Sequence, residues 1–164
     1  MTPPDSGLWA FSIERYGRPG VAGDCLRLQD EAGADVNVVL ACLWCGRRGV
    51  AVGRADMAAL GSGAAADWHD RVVRPLRAAR RAMKRPPPGL SPDAVEALRT
   101  RLKAVELETE RWEQSLLEAA LAPLPAAAVP GRGLAMANLA LYAETLGAAV
   151  PPDLLEGLVR RCVD

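Results

Sequence analysis

Two cysteines spaced as in many metal and redox motifs, Cys42 and Cys45, are the first residues in this chain that could do chemistry. They lie late in an apolar helical run, whereas a redox dithiol works best at a helix N-terminus, where the thiol pKa is lowered. A four-ligand zinc site would have to recruit Cys25 and Cys162, or use the single histidine, His69, in place of one cysteine. We therefore interpret the cysteines as core residues and expect neither a metal nor a cofactor.

Most catalytic triads need a histidine as the acid–base group, and this chain has only one, so few triads could form. Neither Ser62 nor Ser115 lies in a nucleophile-elbow sequence, and no Walker loop, dinucleotide fingerprint or calcium loop is present. Three carboxylates, Glu106, Glu110 and Glu113, share one face of a long predicted helix. Without a Glu-x-x-His partner this face is typical of a solvated acidic surface rather than a di-iron site. We assign no catalytic residue.

The strongest charged feature is a basic stripe on one helix face between residues 71 and 85. Its members are Arg74, Arg77, Arg81 and Lys84, joined by Arg71, Arg80 and Arg85. The stripe could be solvated or paired internally, contact an acidic protein surface, or contact phosphate or RNA. Few aromatic residues lie among these side chains, which disfavours single-stranded RNA. We expect a protein partner rather than nucleic acid, of unidentified type, and the oligomeric state stays open.

Asn37 is the one strongly polar side chain inside an otherwise apolar predicted helix. A buried amide destabilises the fold unless it is hydrogen-bonded, so Gln29, Tyr16 or an arginine of the basic stripe is expected to bond it. The alternative is a ligand pocket that contains this amide. Such a pocket would lie among Asp35, Asn37, Trp44, Trp68, Arg77 and Arg81.

Helical periodicity recurs along the chain and alternating apolar residues are scarce, so the sequence predicts an all-α single domain over residues 1–164. Six or seven helices are expected at about 6–16, 19–31, 35–45, 64–84, 92–121, 134–146 and 152–162, with a short helical turn near 55–60. Asp35 is a good N-cap for the third helix, and Gly33 ends the second. Pro75 predicts a kink near residues 71–75 of the helix 64–84.

The Pro-rich segment 85–91 predicts a stiff turn or a possible boundary between two parts of the chain. The long helix that follows it, 92–121, has a heptad-like apolar seam. The seam residues are Val95, Leu98, Leu102, Val105, Thr109, Trp112, Leu116 and Ala119. An antiparallel hairpin turning near residue 88 would place Arg80 near Glu96, and Arg71 near Glu106.

Composition excludes several classes of protein. The 20 acidic and 20 basic residues balance, so no overall field attracts nucleic acid or an anionic membrane. No run reaches the roughly 18 apolar residues of a membrane span. The segment Met1–Gly7 has neither the basic nor the apolar region of a secretory signal, so we expect a cytoplasmic protein.

Several less common residues recur in order along the first half of the chain and resemble a known family. The pattern is Leu8-Trp9-x-Phe11-Ser12, Tyr16-x-x-Pro19-Gly20-Val21-Ala22, Cys25-Leu26-x-Leu28-Gln29-Asp30, Gly33-Ala34-Asp35-Val36-Asn37, Cys42-Leu43-Trp44, and later Trp68 and Val72-Val73-x-Pro75-Leu76-Arg77. It is similar, over about residues 8–84, to a family of small proteobacterial proteins classed only as a domain of unknown function. The resemblance implies a bacterial, cytoplasmic, helical protein and implies no reaction.

These observations favour a non-enzymatic interaction or regulatory module. Its expected contact surfaces are the stripe 71–85 and the part of the long helix that extends beyond its neighbour. The alternative is a small enzyme, or a binder of an anionic, phosphate-containing ligand, with a pocket near Asp35, Asn37 and the face of Arg77 and Arg81.

Overall fold

The fold comes from a computed structural model that describes residues 7–163; the start predicted for the first helix, at Ser6, lies outside this range. Between residues 7 and 163 the chain forms helices and no strand, which confirms the all-α prediction. The helices are α1 (Gly7–Tyr16), α2 (Val21–Ala32), α3 (Val36–Arg47), α4 (Arg54–Ser62), α5 (Ala64–Trp68), a π-helical turn (His69–Val73), α6 (Arg74–Ala82), α7 (Pro92–Leu121), α8 (Arg132–Thr145) and α9 (Pro152–Cys162).

Helix α3 lies at the centre of the core because it is apolar on all sides, and every residue from Asn37 to Gly46 is buried. It packs most extensively against α8 and also contacts α1, α2 and α7. A Cβ atom added to Gly46 would lie 2.3 Å from the Cα of Ala135 in α8. The two backbones can approach this closely only because residue 46 has no side chain.

A continuous helical rod runs from α5 through the π-helical turn into α6. Pro75 cannot donate a backbone hydrogen bond to the carbonyl of Arg71, which is the reason a kink is expected here. The structure departs from α-helical geometry at His69–Val73, just before the proline, by a π-helical turn. Such turns insert one extra residue and are frequent at functional sites. This turn carries His69, the only histidine of the chain.

The inward face of α7 differs from the predicted apolar seam. Leu98 and Val105 of the predicted seam are 48% and 47% exposed. The buried residues of the helix are instead Glu106, Glu113, Gln114, Leu117 and Leu121. The prediction of a solvated acidic face is therefore wrong for two glutamates. They are buried because polar groups on α3, α6 and the π-helical turn bond to them.

The predicted pairing of the rod with α7 is also wrong in register. Arg80 bonds to Glu106 rather than lying near Glu96, and Arg71 pairs with Asp67 of its own rod. The chain between α6 and α7 is thus longer than a tight hairpin, and the first turns of α7 extend beyond the end of α6. Within residues 7–163 no helix is both long and apolar enough to cross a membrane.

Candidate functional site

The site begins at the N-terminus of α3. Gly33 adopts φ +69° and ends α2, and Asp35 then caps α3 by accepting a hydrogen bond from the backbone N–H of Asn37 at 2.9 Å. Both local features were predicted from the sequence, because glycine favours a left-handed helix end and aspartate favours an N-cap. The backbone N–H of Asp35 donates to the hydroxyl of Tyr142 on α8 at 2.8 Å, which fixes this cap against the core.

Three ionisable side chains meet above this cap. The Nδ1 atom of His69 lies 3.2 Å from Oδ2 of Asp35 and 3.2 Å from Oε2 of Glu113. One potential ligand atom from each residue lies within 4.8 Å of the others. We call Asp35, His69 and Glu113 the acidic–histidine cluster. The chain brings it together from the start of α3, the π-helical turn and the middle of α7.

A buried amide network supports the cluster from inside. The Nδ2 of Asn37 donates to Oε2 of Glu113 at 2.9 Å, and its Oδ1 accepts from Nε2 of Gln114 at 2.8 Å. The buried network expected for Asn37 is thus present. Its partners are side chains of α7, not Gln29, Tyr16 or an arginine. The second oxygen of Glu113, Oε1, is buried and accepts no hydrogen bond from residues 7–163.

Burial governs the acidity of the two carboxyl groups. It raises the pKa of Glu113 to about 6, although hydrogen bonds from the Asp35 carboxyl and from Asn37 act in the opposite direction. Burial, and then the neighbouring Glu113 carboxylate, raise the pKa of Asp35 well above its usual value. Two carboxylates this close repel each other in a poorly solvated site. The cluster therefore favours a bound proton or another positive charge.

A cavity of about 670 Å³ opens directly on the cluster. It is bounded by α2, α4, the rod of α5 and α6, and α8, and it is lined by Asp35 and His69 but not by Glu113. The side chains of Asp35 and His69 are 14% and 12% exposed, whereas Glu113 is fully buried. The cluster thus has a closed inner side and an open side that a small molecule can reach.

The predicted basic stripe is largely paired within the chain. Arg77 donates to Glu106 at 3.0 Å and to Glu110 at 2.6 Å, and it also bonds to Gln29. The other ion pairs are Arg80 with Glu106, Arg81 with Asp30, Arg74 with Asp70, and Arg71 with Asp67. Lys84 is exposed beyond α6. Of the alternatives given for the stripe, internal pairing is the one that these contacts match. Binding of a protein partner to this face stays a prediction.

The two predicted tryptophans lie outside the cluster. Trp68 donates from Nε1 to the carbonyl of Thr109 at 3.0 Å and so joins the rod to α7. Trp44 is buried on α3, with the guanidinium of Arg48 over its ring at 4.2 Å. Arg77, Arg81 and Arg74 line the cavity together with Asp35. The structure therefore brings four of the predicted residues to one cavity and places both tryptophans elsewhere.

The four cysteines are free and buried. Burial raises the pKa of Cys25 to about 12 and that of Cys45 to about 11, so neither is poised to form a thiolate. Within residues 7–163 the acidic–histidine cluster is the group whose geometry suits a metal, and it contains no cysteine.

These features define an all-α protein in which Asp35 and His69 face an open cavity and the buried carboxylate of Glu113 lies behind them. The chain matches the family of proteins of unknown function DUF2390 over residues 7–117, and it belongs to that family. All three residues of the acidic–histidine cluster lie inside the matched range, whereas Tyr142 lies beyond it. Neither the curated proteins nor the solved structures give a match.

Sequence reasoning considered His69 only as a zinc ligand beside cysteines and Glu113 only as part of a solvated acidic face, and it assigned no role to Gln114 or Tyr142. One signal could have identified the face of Glu113: residue 117, one turn later, and residue 121, two turns later, are leucines that pack into the core. A glutamate in line with two core leucines lies on a buried face. Nothing in the sequence indicates that His69 meets this face.

Proposed function

We propose that the protein binds one divalent cation of the first transition series through Asp35, His69 and Glu113, and that this ion acts on a small polar molecule in the adjoining cavity. The function is that of a small metal-dependent enzyme. A small enzyme or anionic-ligand binder was the alternative expected from the sequence, but the sequence predicted no metal. The observation that carries the proposal is the convergence of three ligand-type side chains on one side of an open cavity.

The spacing of the ligand atoms suits a metal ion. Zinc-like ions stand about 2.0–2.2 Å from nitrogen and carboxylate ligands, so two ligands in a tetrahedral arrangement are about 3.4 Å apart. Nδ1 of His69 is 3.2 Å from one oxygen of each carboxylate, close to that value. An ion can enter between these atoms after small side-chain adjustments.

The charges also favour a cation. Within residues 7–163, the only basic group within 4.0 Å of the Asp35 or Glu113 carboxylate is the imidazole of His69. Arg77 of α6, which contacts the same side of α7, is already engaged with Glu106 and Glu110. A divalent ion would offset both buried negative charges, and if Glu113 bound it through both oxygens, Oε1 would gain the partner that it lacks.

The ligand set and the open side indicate what the ion could do. One imidazole with two carboxylates suits Mn²⁺, Fe²⁺ or Zn²⁺ better than Mg²⁺ or Ca²⁺, which prefer oxygen ligands alone. Three protein ligands leave a position for water or substrate, as in catalytic zinc sites, and a bound ion lowers the pKa of that water. An anionic group of the substrate would be attracted mainly by the ion, because Arg74 and Arg77 on the cavity wall are already paired with carboxylates.

Metal titration of the untagged full-length chain tests the proposal, because a histidine tag would add competing ligands. After treatment with a chelator, the protein should bind one Mn²⁺ or Zn²⁺ per chain, measured by calorimetry and elemental analysis. Histidine labelled with ¹⁵N gives the signals of one imidazole only, since His69 is the sole histidine. Zn²⁺ should shift the Nδ1 resonance much more than the Nε2 resonance.

Matched variants separate this site from others. Asp35→Asn and His69→Ala should each abolish stoichiometric binding, whereas the double variant Cys42→Ala, Cys45→Ala should retain it. An exposed residue of α7 supplies the control Glu108→Gln, which should bind like the wild type. Binding that survives His69→Ala, or that disappears in the cysteine variant, would exclude the proposed ligands.

The interaction module expected from the sequence is a second candidate, and one surface favours it. Leu98, on the part of α7 that extends beyond α6, is 48% exposed, and Val105 and Leu107, which flank Glu106, are 47% and 49% exposed. A protein partner could cover these side chains. Replacing Leu98 and Val105 with serine should leave the thermal midpoint unchanged and abolish co-purification of such a partner; unchanged co-purification would argue against this surface.

A further inference from the structure

A second cavity lies on the other side of Asn37 from the acidic–histidine cluster. It has a volume of about 240 Å³ and is formed by α1, α2, α3, α6 and α7. Most of its wall area is apolar and includes Trp9, Ile13, Leu40 and Leu107, and charged side chains of α6 and α7 line the rest. Two of these side chains, Ile13 and Leu107, are about half exposed, so the cavity opens to solvent between apolar lips.

Two of the residues that line this cavity each carry a buried polar atom without a partner. Ser12 and Gln114 are 3% and 2% exposed, and both belong to the cavity lining. The Oγ of Ser12 and the Oε1 of Gln114 make no hydrogen bond with residues 7–163. The Nε2 of Gln114 is already used on Asn37, so this amide is held with its oxygen unpaired. Buried polar atoms of this kind are normally paired, and an unpaired one lowers stability.

We propose that this cavity binds a small molecule with an apolar body and a hydroxyl group. Once small side-chain adjustments open these atoms to the cavity, a hydroxyl would donate to Oε1 of Gln114 and accept from Oγ of Ser12, which would pair both atoms. The apolar body would contact Trp9 and Leu40. Because the volume is below the range of about 300–1,000 Å³ found for drug-sized ligands, the molecule is small, of the size of a substituted phenol.

This ligand site is separate from the proposed metal site. Glu113 and Gln114 are adjacent on α7 but bond to different atoms of Asn37, so each cavity has its own polar group. The two cavities share only Gln29, Arg77 and Arg81 in their linings. A phenol could therefore bind whether or not the protein binds a metal, and the two proposals can fail independently.

A matched pair of probes tests the proposal in the full chain treated with a chelator. 4-Ethylphenol and ethylbenzene have the same apolar body and differ by the hydroxyl group. Calorimetry should give saturable binding of 4-ethylphenol about tenfold tighter than that of ethylbenzene, since a buried acceptor gains its missing partner only from the phenol. Ser12→Ala should reduce this preference to about threefold or less.

Two further variants complete the test. Ile13→Trp, at an exposed position on the lip, should block both probes while the protein stays folded. Ser115→Ala replaces a serine of α7 that does not line the cavity, and it should leave both affinities unchanged. Equal affinities for the two probes, no saturable binding of either, or unchanged binding in Ile13→Trp would each overturn the proposal.

Discussion

Replacing Glu113 with glutamine should stabilise the metal-free protein at neutral pH. The pKa of Glu113 is raised by burial from 4.5 to about 6 in the folded chain, so the folded state holds this proton more tightly than the unfolded state does. Below pH 4.5 the Glu113 carboxyl is mostly protonated in both states, and its proton makes its full contribution to the free energy of unfolding. Between pH 4.5 and 6 the unfolded state loses its proton first, and the free energy of unfolding falls as pH rises.

The size of the effect follows from the shift. A difference of about 1.5 units corresponds to about 2 kcal/mol, at about 1.36 kcal/mol per unit. Glutamine removes the loss of stability that comes from ionising a buried carboxyl, because its side chain carries no charge at any pH. Its Oε1 can still accept from Nδ2 of Asn37, and its Nε2 can donate toward the carboxyl group of Asp35. At pH 7.5 the variant should therefore melt about 4–8 °C above the metal-free wild type.

Urea unfolding with a chelator present, at pH 4.5 and at pH 7.5, measures this effect. The comparison between wild type and Glu113→Gln isolates residue 113 from other groups that titrate in the same range. The advantage of the variant should be about 0.4 kcal/mol at pH 4.5, where the unfolded carboxyl is half ionised, and about 2 kcal/mol at pH 7.5. Glu108→Gln should show no such advantage. A variant that is no more stable than wild type at pH 7.5 would refute the account of a buried, unneutralised carboxylate. With Mn²⁺ added, the order should reverse, since only the wild type keeps all three ligands.

Three further substitutions test the packing and the networks, each by thermal and urea unfolding. Asn37→Ala leaves its partners on α7 unpaired, so the free energy of unfolding should fall by about 1–3 kcal/mol. Metal binding should weaken about 10–100-fold because a supporting group is lost. An unaltered melting temperature would contradict this. Gly46→Ala forces α3 away from Ala135 and should cost about 1–3 kcal/mol; a neutral effect would mean that the helices separate freely. Arg77→Ala removes the ion pair of Glu110 and leaves Glu106 with Arg80 alone, so it should lower the free energy of unfolding by about 3 kcal/mol. The exposed pair of Arg74 is worth at most about 1 kcal/mol, so Arg74→Ala is its control. Equal losses would refute the distinction.

Local features of the fold could be predicted from the sequence because their causes are local. The helix α3 is apolar on all sides, and a helix of that kind is buried wherever the rest of the chain lies. The left-handed Gly33 and the N-cap Asp35 follow from backbone geometry and side-chain reach within two residues. These features place one residue of the site correctly, at the start of the central helix.

The rest of the site could not be predicted, because its causes are distant in sequence. Counting apolar residues along α7 predicts a seam through Leu98 and Val105, but those residues are about half exposed. The buried face carries Glu106 and Glu113, and each is stabilised by a partner from another helix. Such partners become visible only once the register of α6 against α7 is known. That register depends on the length of the 83–91 connection and on a π-helical turn, and neither can be read from periodicity.

The three glutamates on the inward side of α7 together indicate where a cation belongs. Glu106 is paired with Arg77 and Arg80, and Glu110 is paired with Arg77. Accordingly the pKa of Glu106 is lowered by its arginines, although burial opposes them. Glu113, one turn further along, is the most deeply buried of the three and has no arginine within ion-pair distance among residues 7–163. It faces another carboxylate and the imidazole instead. A buried pair of carboxylates reduces stability unless a positive charge lies between them. In the part of the chain that the structure describes, arginine neutralises Glu106 and Glu110 but not Glu113. A divalent cation bound at Glu113 would supply the missing positive charge.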